Sequence, residues 1–288
     1  MFMFFDKLVL GTVQFGMDYG IANRSGQVSK EESDAILSLA WERGIRRFDT
    51  APGYQSEDLL GRFIARNNLQ DSAKVLTKIP SLAGTTDYRR AVRKTISRSL
   101  KKLGCSIDGL FFHRPADAAL LKVDPIFFSS LLEEFSISFF GVSVYEPSEI
   151  ENLGNSEFDL AFQFPLNVVD KRFASVDMPI GKRYARSIFL QGLLSAPTDL
   201  RSNVGPGLSQ FHKLYHQTLM RQKISPLDYA ISFVANSSCT DFFLVGVDSI
   251  LQLNQILSAD TNERISCYDV DRLVNELDPS LIDPRTWI

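Results

Sequence analysis

Asp49, Tyr54, Lys78 and His113 each close, or closely follow, a short apolar run of the chain. An acid, a phenol, an amine and an imidazole brought to one place would make a proton-transfer set. A free phenol titrates near pH ~10, so a tyrosine that passes a proton near neutrality needs a cation and hydrogen-bond donors beside it. Lys78 is the candidate cation, because an opposite charge within a few ångströms moves a pKa by roughly 1–3 units. A partly buried lysine in turn needs an acid, here Asp49. His113 is left to orient a substrate carbonyl or to share the proton. Taken singly, each has a plainer reading: a turn cap for Asp49, a solvent-facing charge for Lys78, a satisfied core histidine for His113.

Whether they meet depends on the elements that carry them. Short β-branched or aromatic runs recur as "KLVLGTV", "GIRRFDT", "AKVLTK", "IDGLFFH", "ISFFGVS", "FDLAFQF", "RSIFLQ" and "DFFLVGV". Segments of helical period lie between them: from Ser29, where Ser29 and Glu32 form a capping box and Gly44 ends the helix, then from Ser56, from Asp87, over Pro125 to Phe135, from Ser225 and from Ser249. Strand and helix alternate throughout. Eight such repeats in 288 residues predict an α/β fold of parallel strands closed into a TIM (β/α)8 barrel, one domain over residues 1–288. In that fold chemistry belongs at the C-terminal ends of strands. Asp49 then ends the second strand, Lys78 the third, His113 the fourth, Ser143 the fifth, Gln163 the sixth and Gln191 the seventh, and Gly246 closes the eighth. The longest irregular stretch, "GLLSAPTDLRSNVGPGLSQ" from Gly192, reads equally as a functional loop or a surface excursion.

Composition excludes several classes. The net charge of −3 carries no long like-charge block, and Arg89, Arg90, Arg93 and Lys94 read as the solvated face of a helix, so nucleic acid is not indicated. No run approaches the ~18 apolar residues of a membrane helix, and "MFMFF" is too short for a signal peptide; it is expected to plug the barrel bottom. Cys105, Cys239 and Cys267 fit no metal or redox spacing and indicate reduced thiols in a cytoplasmic protein.

These residues resemble the aldo-keto reductase superfamily: "FDTA" with Asp49, then Tyr54, Ser56, Glu57 and Gly61, followed by "LTKIP", "DGLFFHRP", "GVSVYEP", "FQFPLNVVD", "SIFLQGLL" and "VGVDSILQL". The resemblance implies a carbonyl–alcohol oxidoreductase that binds a nicotinamide cofactor on the barrel rim without a Rossmann domain. It implies Tyr54 as general acid or base, Asp49 and Lys78 as its tuning groups and His113 as the group that positions substrate. It also implies Thr12, Ser143 and Gln163 as cofactor residues, the latter two at the carboxamide, with Phe189, Gln191, Gly192 and Leu193 along ribose and pyrophosphate. Gly246, Val247, Asp248, Ser249 and Gln252 would serve the adenosine end, where a helix N-terminus offers phosphate a place. Asn167 is a loop residue in the same motif.

Two features depart from the family pattern. Asp248 stands where many relatives carry a cation for a 2′-phosphate, so the residues favour NAD(H) while family habit favours NADP(H), the latter slightly ahead. The position of a nicotinamide-stacking aromatic falls on Arg186 or Phe189. The loop "QFGMDYGIANRSGQ" resembles bacterial members associated with sugar or polysaccharide biosynthesis, which suggests a sugar carbonyl as substrate and Phe15, Tyr19 and Tyr145 as pocket residues. Rival readings are a low-turnover, nicotinamide-binding regulatory subunit, as in channel-associated relatives, and an isomerase or lyase on the same barrel. His212 and His216, four apart in "FHKLYH", have no third ligand, so no metal is expected. The partner is a small molecule, and monomer and homo-oligomer both stay open.

Overall fold

The computed structural model describes residues 4–153, 156–195, 199–201, 204–261 and 265–287. Eight parallel strands close on themselves in sequence order: β1 (Leu8–Gly11), β2 (Arg47–Asp49), β3 (Lys74–Ile79), β4 (Ile107–Phe112), β5 (Phe139–Ser143), β6 (Ala161–Pro165), β7 (Arg183–Arg186) and β8 (Phe242–Val245). The register sets Gly11 beside Asp49, Asp49 beside Leu76 and Ser143 beside Gln163, which puts the polar residues of neighbouring strands on one rim. Closure leaves no unpaired strand edge.

The barrel interior is filled by Val9, Leu76, Phe111, Ala161 and Tyr184, with Phe139, Phe242 and Leu244 against them. Phe111 needs room that a side chain on the next strand would occupy: its register partner is Gly141, and a Cβ there would lie 2.4 Å from the Phe111 ring. A second, larger core lies between the barrel and the helices around it: α1 (Lys30–Glu42), α2 (Glu57–Arg66), α3 (Tyr88–Leu103), α4 (Pro125–Glu134), α5 (Pro147–Glu151), α6 (Pro206–Arg221), α7 (Pro226–Ala235), α8 (Ile250–Leu257) and α9 (Tyr268–Asn275). Each fully buried Phe, Leu or Ile in these cores stabilises the fold by roughly 1.5–3 kcal/mol relative to exposure.

Some expectations need correction. Ser29 does cap α1 by accepting from the Glu32 N–H, but the Glu32 carboxylate does not return to the cap; it reaches across to the Ile250 N–H at 2.7 Å. The capping box is therefore half formed, and its second half ties α1 to α8. Strand–helix alternation also fails once: residues 166–182, between β6 and β7, form turns. Apolar side chains there, Leu166, Val168, Val169 and Phe173, still cover the sheet, with Phe173 stacked on Phe164 at 5.0 Å. Asn167 pins this stretch, its Oδ1 accepting from the N–H groups of Val169 and Asp170 and its Nδ2 donating to the Ser187 carbonyl.

The seventh strand comes earlier than "RSIFLQ" suggested and ends at Arg186, because Ser187, Leu190 and Gln191 all adopt positive φ and cannot continue a strand. Gln191 is thus a loop residue. The sixth strand runs two residues past Gln163. The irregular stretch after Gly192 gives way at Pro206 to α6, which the Gly and Pro content masked; residues 196–198 and 202–203 of it lie outside those described. At the N-terminus Phe4–Lys7 forms a helical turn whose Phe5 packs on the core, and residues 1–3 lie outside those described. On α3, Arg89 and Arg93 pair with Asp124 and Glu134.

Candidate active site

The five-residue step from Asp49 to Tyr54 has a simple geometry. Asp49 ends β2, Ala51 is extended, and Pro52–Tyr54 make one 3-10 turn, closed by the Tyr54 N–H on the Ala51 carbonyl at 3.0 Å. Gln55 in the left-handed region then turns the chain into α2. Gly16 sits directly on this turn, since a Cβ there would lie 1.7 Å from the Tyr54 carbonyl oxygen. Ser56, at the N-cap of α2, makes no cap bond; its hydroxyl joins those of Thr12 at 2.8 Å and Thr50 at 3.0 Å. Glu57 is buried and accepts from Thr77, the residue before Lys78. Gly61 lets α2 press on the end of α3, a Cβ there meeting the Lys102 carbonyl at 2.0 Å.

Lys78 and Asp49 form the centre. The ammonium is 2.7 Å and 2.8 Å from the two Asp49 oxygens and 3.0 Å from the Thr50 carbonyl, with only 2% of the lysine side chain exposed. Burial works against the ammonium, but the Asp49 carboxylate and then the Tyr54 phenol outweigh it and raise the Lys78 pKa. Lys78 stays charged. It lies 5.0 Å from the centre of the Tyr54 ring, where its field stabilises negative charge developing on that phenol. Gln163 donates to Asp49 Oδ2 at 2.9 Å, so its carboxamide helps hold the acid and is not wholly free for a ligand. His113 has its pKa lowered, first by desolvation and then by the charges of Lys78 and Arg186, against the pull of Asp49. Its imidazole is neutral at pH 7.

One cavity of about 830 Å³ joins these groups to the loops after β7 and β8. Asp49, Tyr54, Lys78 and His113 line it together with Thr12, Ser143, Gln163, Tyr19 and Tyr145. From the two loops come Phe189, Gln191, Gly192, Gly246, Asp248, Ser249 and Gln252. Three expected residues are not brought in: Phe15, Leu193 and Val247 are buried in the hydrophobic core. Leu193 contributes through its carbonyl, which accepts from His212 Nδ1 at 3.0 Å and His216 Nε2 at 2.9 Å. That shared carbonyl explains the histidine pair, and among the described residues no cluster of His, Cys, Asp or Glu could hold a metal ion. Thr12 lines the cavity, but its hydroxyl donates to the Asp49 carbonyl, so it positions the acid. Tyr145 is fixed by its N–H on the Glu149 carboxylate at 2.6 Å.

The turn after β8 differs from the expected phosphate cradle. Glu32 occupies the Ile250 N–H, the Gln252 side chain the Asp248 N–H and the Ser249 hydroxyl the Gln252 N–H. Much of this helix end is already satisfied, part of it by a carboxylate. Asp248 Oδ1 and Gln14 Oε1, both at the cavity wall, are buried without a hydrogen-bond partner. Gln14 packs on Gly246, where a Cβ would lie 2.3 Å from its amide nitrogen. A ligand rich in donors, such as the hydroxyls and carboxamide of a nicotinamide dinucleotide, fits these two acceptors. Gln14 and Glu32 were missed from sequence; Gln14 follows β1 closely enough for the strand-end rule to have found it, whereas Glu32 is brought in only by the packing of α1 on α8.

The Aldo/keto reductase family profile matches residues 7–277. Among curated proteins, one named as a voltage-gated potassium channel subunit beta from Schizosaccharomyces pombe is 28% identical over 135 residues, 42% of this chain and 39% of that one. An aldo-keto reductase of Mycobacterium marinum is 31% identical over 143 residues, 48% of each chain. The D-threo-aldose 1-dehydrogenase of a Pseudomonas species is 30% identical over 145 residues, 38% of this chain and 44% of that one. The chain thus spans less than half the length of these curated relatives. Among solved structures, the glycerol dehydrogenase of Gluconobacter oxydans superposes with a TM-score of 0.70 at 20% identity, over 96% of this chain and 94% of that one, a likeness of fold.

Proposed function

The chain belongs to the aldo/keto reductase family, and from that premise we propose that it is a nicotinamide-dependent oxidoreductase that interconverts a carbonyl and an alcohol, with Tyr54 as the general acid and base. The observation that carries this reading is the Lys78 ammonium held between Asp49 and the Tyr54 ring at the wall of a cavity that His113 also lines.

A bound nicotinamide supplies or accepts the hydride. In reduction, negative charge grows on the carbonyl oxygen, and Tyr54 gives that oxygen its proton. Lys78, kept charged and fixed by Asp49, stabilises the phenolate left behind, and the neutral His113 helps place the oxygen. Donors held where charge develops favour the transition state over the substrate. In oxidation Tyr54 takes the proton back. Ser143 and Gln163 would hold the carboxamide, and the loops after β7 and β8 the remainder of the cofactor.

For the cofactor we favour NAD(H) over NADP(H). The unpartnered Asp248 Oδ1 suits a ribose hydroxyl and, with the Glu32 carboxylate of α1 at the N-terminus of α8, opposes a 2′-phosphate. Arg201, the nearby cation, is engaged by Asp18 and by the Asn23 carbonyl. A sugar carbonyl as substrate is supported by the early loop and by the aldose dehydrogenase among the relatives. Cytoplasmic location is supported by three unpaired cysteines; no helix of the described residues is long and apolar enough to cross a membrane.

The test is consumption of NADH and, separately, NADPH with an activated aromatic aldehyde, beside Tyr54→Phe. Turnover that the substitution reduces about 10²–10⁴-fold without loss of cofactor binding supports the assignment. Tight cofactor binding with no turnover of neutral, sugar or anionic aldehydes favours the regulatory-subunit reading, the one suggested by the channel-subunit relative.

A further inference from the structure

Arg186 ends β7 and lines the cavity with Tyr54, His113 and Tyr145. Its guanidinium lies 3.9 Å from the centre of the Tyr145 ring, and that of Arg285 lies 4.0 Å from the same centre. Both guanidinium groups thus pack against the Tyr145 ring. Arg285 is neutralised by both oxygens of Asp283. The other cation lining the cavity, Lys78, is paired with Asp49; outside the lining Arg172 pairs with Asp170 and Glu146 and Arg201 with Asp18, while Arg114 bonds the Ser81 hydroxyl.

Arg186 has no such partner. Its guanidinium donates to the Val144 carbonyl at 2.9 Å and to the Ser187 hydroxyl at 3.3 Å, both uncharged, and its Nε is buried without a partner. No carboxylate among the described residues lies within ion-pair distance of it. A guanidinium is charged at every physiological pH. Since Lys78 is already balanced by Asp49, the reacting end of the cavity carries one uncompensated positive charge, and that charge acts on both His113 and Tyr19. The cavity's other acid, Asp248, lies on the loop after β8, where burial raises its pKa against the Gln252 hydrogen bond and the charge of Arg201, and Arg186 is not among its partners.

We propose that Arg186 is a specificity-determining residue that receives an anionic group, carboxylate or phosphate, on the carbonyl substrate. The inference rests on the reductase reading and narrows it to oxo acids, acidic sugars or phosphorylated carbonyl compounds. The planar fork suits either oxyanion, and the Tyr145 ring and the Val144 carbonyl fix its plane before the ligand arrives. A neutral substrate would leave the charge half-desolvated and unanswered, so it is disfavoured.

The experiment compares 4-carboxybenzaldehyde and 4-formylphenyl phosphate with the neutral methyl 4-formylbenzoate, using the full chain and its preferred cofactor. At least one anionic aldehyde is expected to have a kcat/KM about 10- to 100-fold higher than the ester, mainly through KM, and the two arms separate carboxylate from phosphate. In Arg186→Met the ratio of anionic to neutral kcat/KM should fall to about one, and Arg186→Lys should restore part of it. Calorimetric binding of 4-carboxybenzyl alcohol or 4-(hydroxymethyl)phenyl phosphate against benzyl alcohol gives a second readout that needs no turnover. Equal use and equal binding of anionic and neutral compounds overturn the assignment, as does a preference that survives in Arg186→Met. If Tyr54-dependent turnover is present without that preference, only the Arg186 inference falls. If Arg186-dependent anion binding is present without any turnover, the reductase reading falls and the anion site stands.

Discussion

Gly16 and Tyr54 touch so closely that a Cβ on the glycine would lie 1.7 Å from the tyrosine's carbonyl oxygen. The obstacle is backbone, which cannot swing aside as a flexible side chain would. Gly16→Ala should therefore move the turn that carries Tyr54. A displacement near 1 Å at a reacting group can cost about 10²-fold in rate. The expected outcome is a kcat loss of that order with a stability loss of about 1–3 kcal/mol. Steady-state kinetics and urea unfolding check it, and a variant with wild-type kcat would show that the contact does not position the phenol.

Lys78→Met should leave the Asp49 carboxylate buried without its countercharge, with the Gln163 amide still donating to it. Removing one member of a buried pair typically costs about 3–5 kcal/mol, whereas replacing both with apolar residues costs far less. Urea unfolding of Lys78→Met, Asp49→Leu and the double variant should show the double variant as more stable than Lys78→Met alone. Catalysis should be lost in all three, because the charge beside Tyr54 is gone or unanchored. Additive stability losses would contradict the coupling read from the 2.7 Å and 2.8 Å contacts.

Asp248→Asn should raise affinity for NADPH relative to NADH by roughly five- to tenfold, the effect of removing one nearby like charge at a partly screened site. Glu32→Gln should act in the same direction. Fluorescence titration of the two reduced cofactors measures the ratio directly, and a wild-type preference for NADPH would remove the basis of the argument.

His216 provides a pH test. A carbonyl can only accept, so His216 Nε2 carries its proton toward Leu193, and its Nδ1 is buried without a partner. Burial holds the His216 pKa down at about 4, against an ordinary 6.5. Between these values the unfolded chain takes up a proton that the folded chain refuses. Stability from the neutral ring is thus full above pH 6.5 and is lost as pH falls toward 4, by up to about 3 kcal/mol. In His216→Gln the drop in unfolding free energy between pH 7.5 and 4.5 should shrink by about 1–3 kcal/mol. An unchanged drop would contradict the buried neutral ring.

Asp49, Tyr54, Lys78 and His113 were legible in the sequence because each belongs to a strand or turn whose apolar pattern is strong, and the strand-end rule converts such order into proximity. Seven of the eight strands follow their runs, and the seventh does not: the charged and aromatic residues Arg183 to Arg186 lack an alternating pattern, while the more apolar Ile188–Leu190 segment after them turns at positive φ. Phe15 shows the opposite failure. It lies close to the rim in sequence, yet the turn after β1 drives its ring into the core. Long-range partners left no local signal, as with the bond from Glu32 of α1 to the first amide of α8 or the stacking of Arg186 and Arg285 on Tyr145.

The helix-free passage between β6 and β7 gives the barrel a seam. Elsewhere a crossover is locked by a ladder of repeating amide bonds; here one carboxamide, that of Asn167, holds two amides of the passage and reaches the backbone after β7. Hydrogen exchange of the Val169 and Asp170 amides should therefore be governed by a single side chain, the two being released together when it lets go. Because the same side chain grips Ser187, opening of the seam and loosening of the loop beside Arg186 are one event, and the substrate end of the cavity breathes with the least ladder-bound part of the wall.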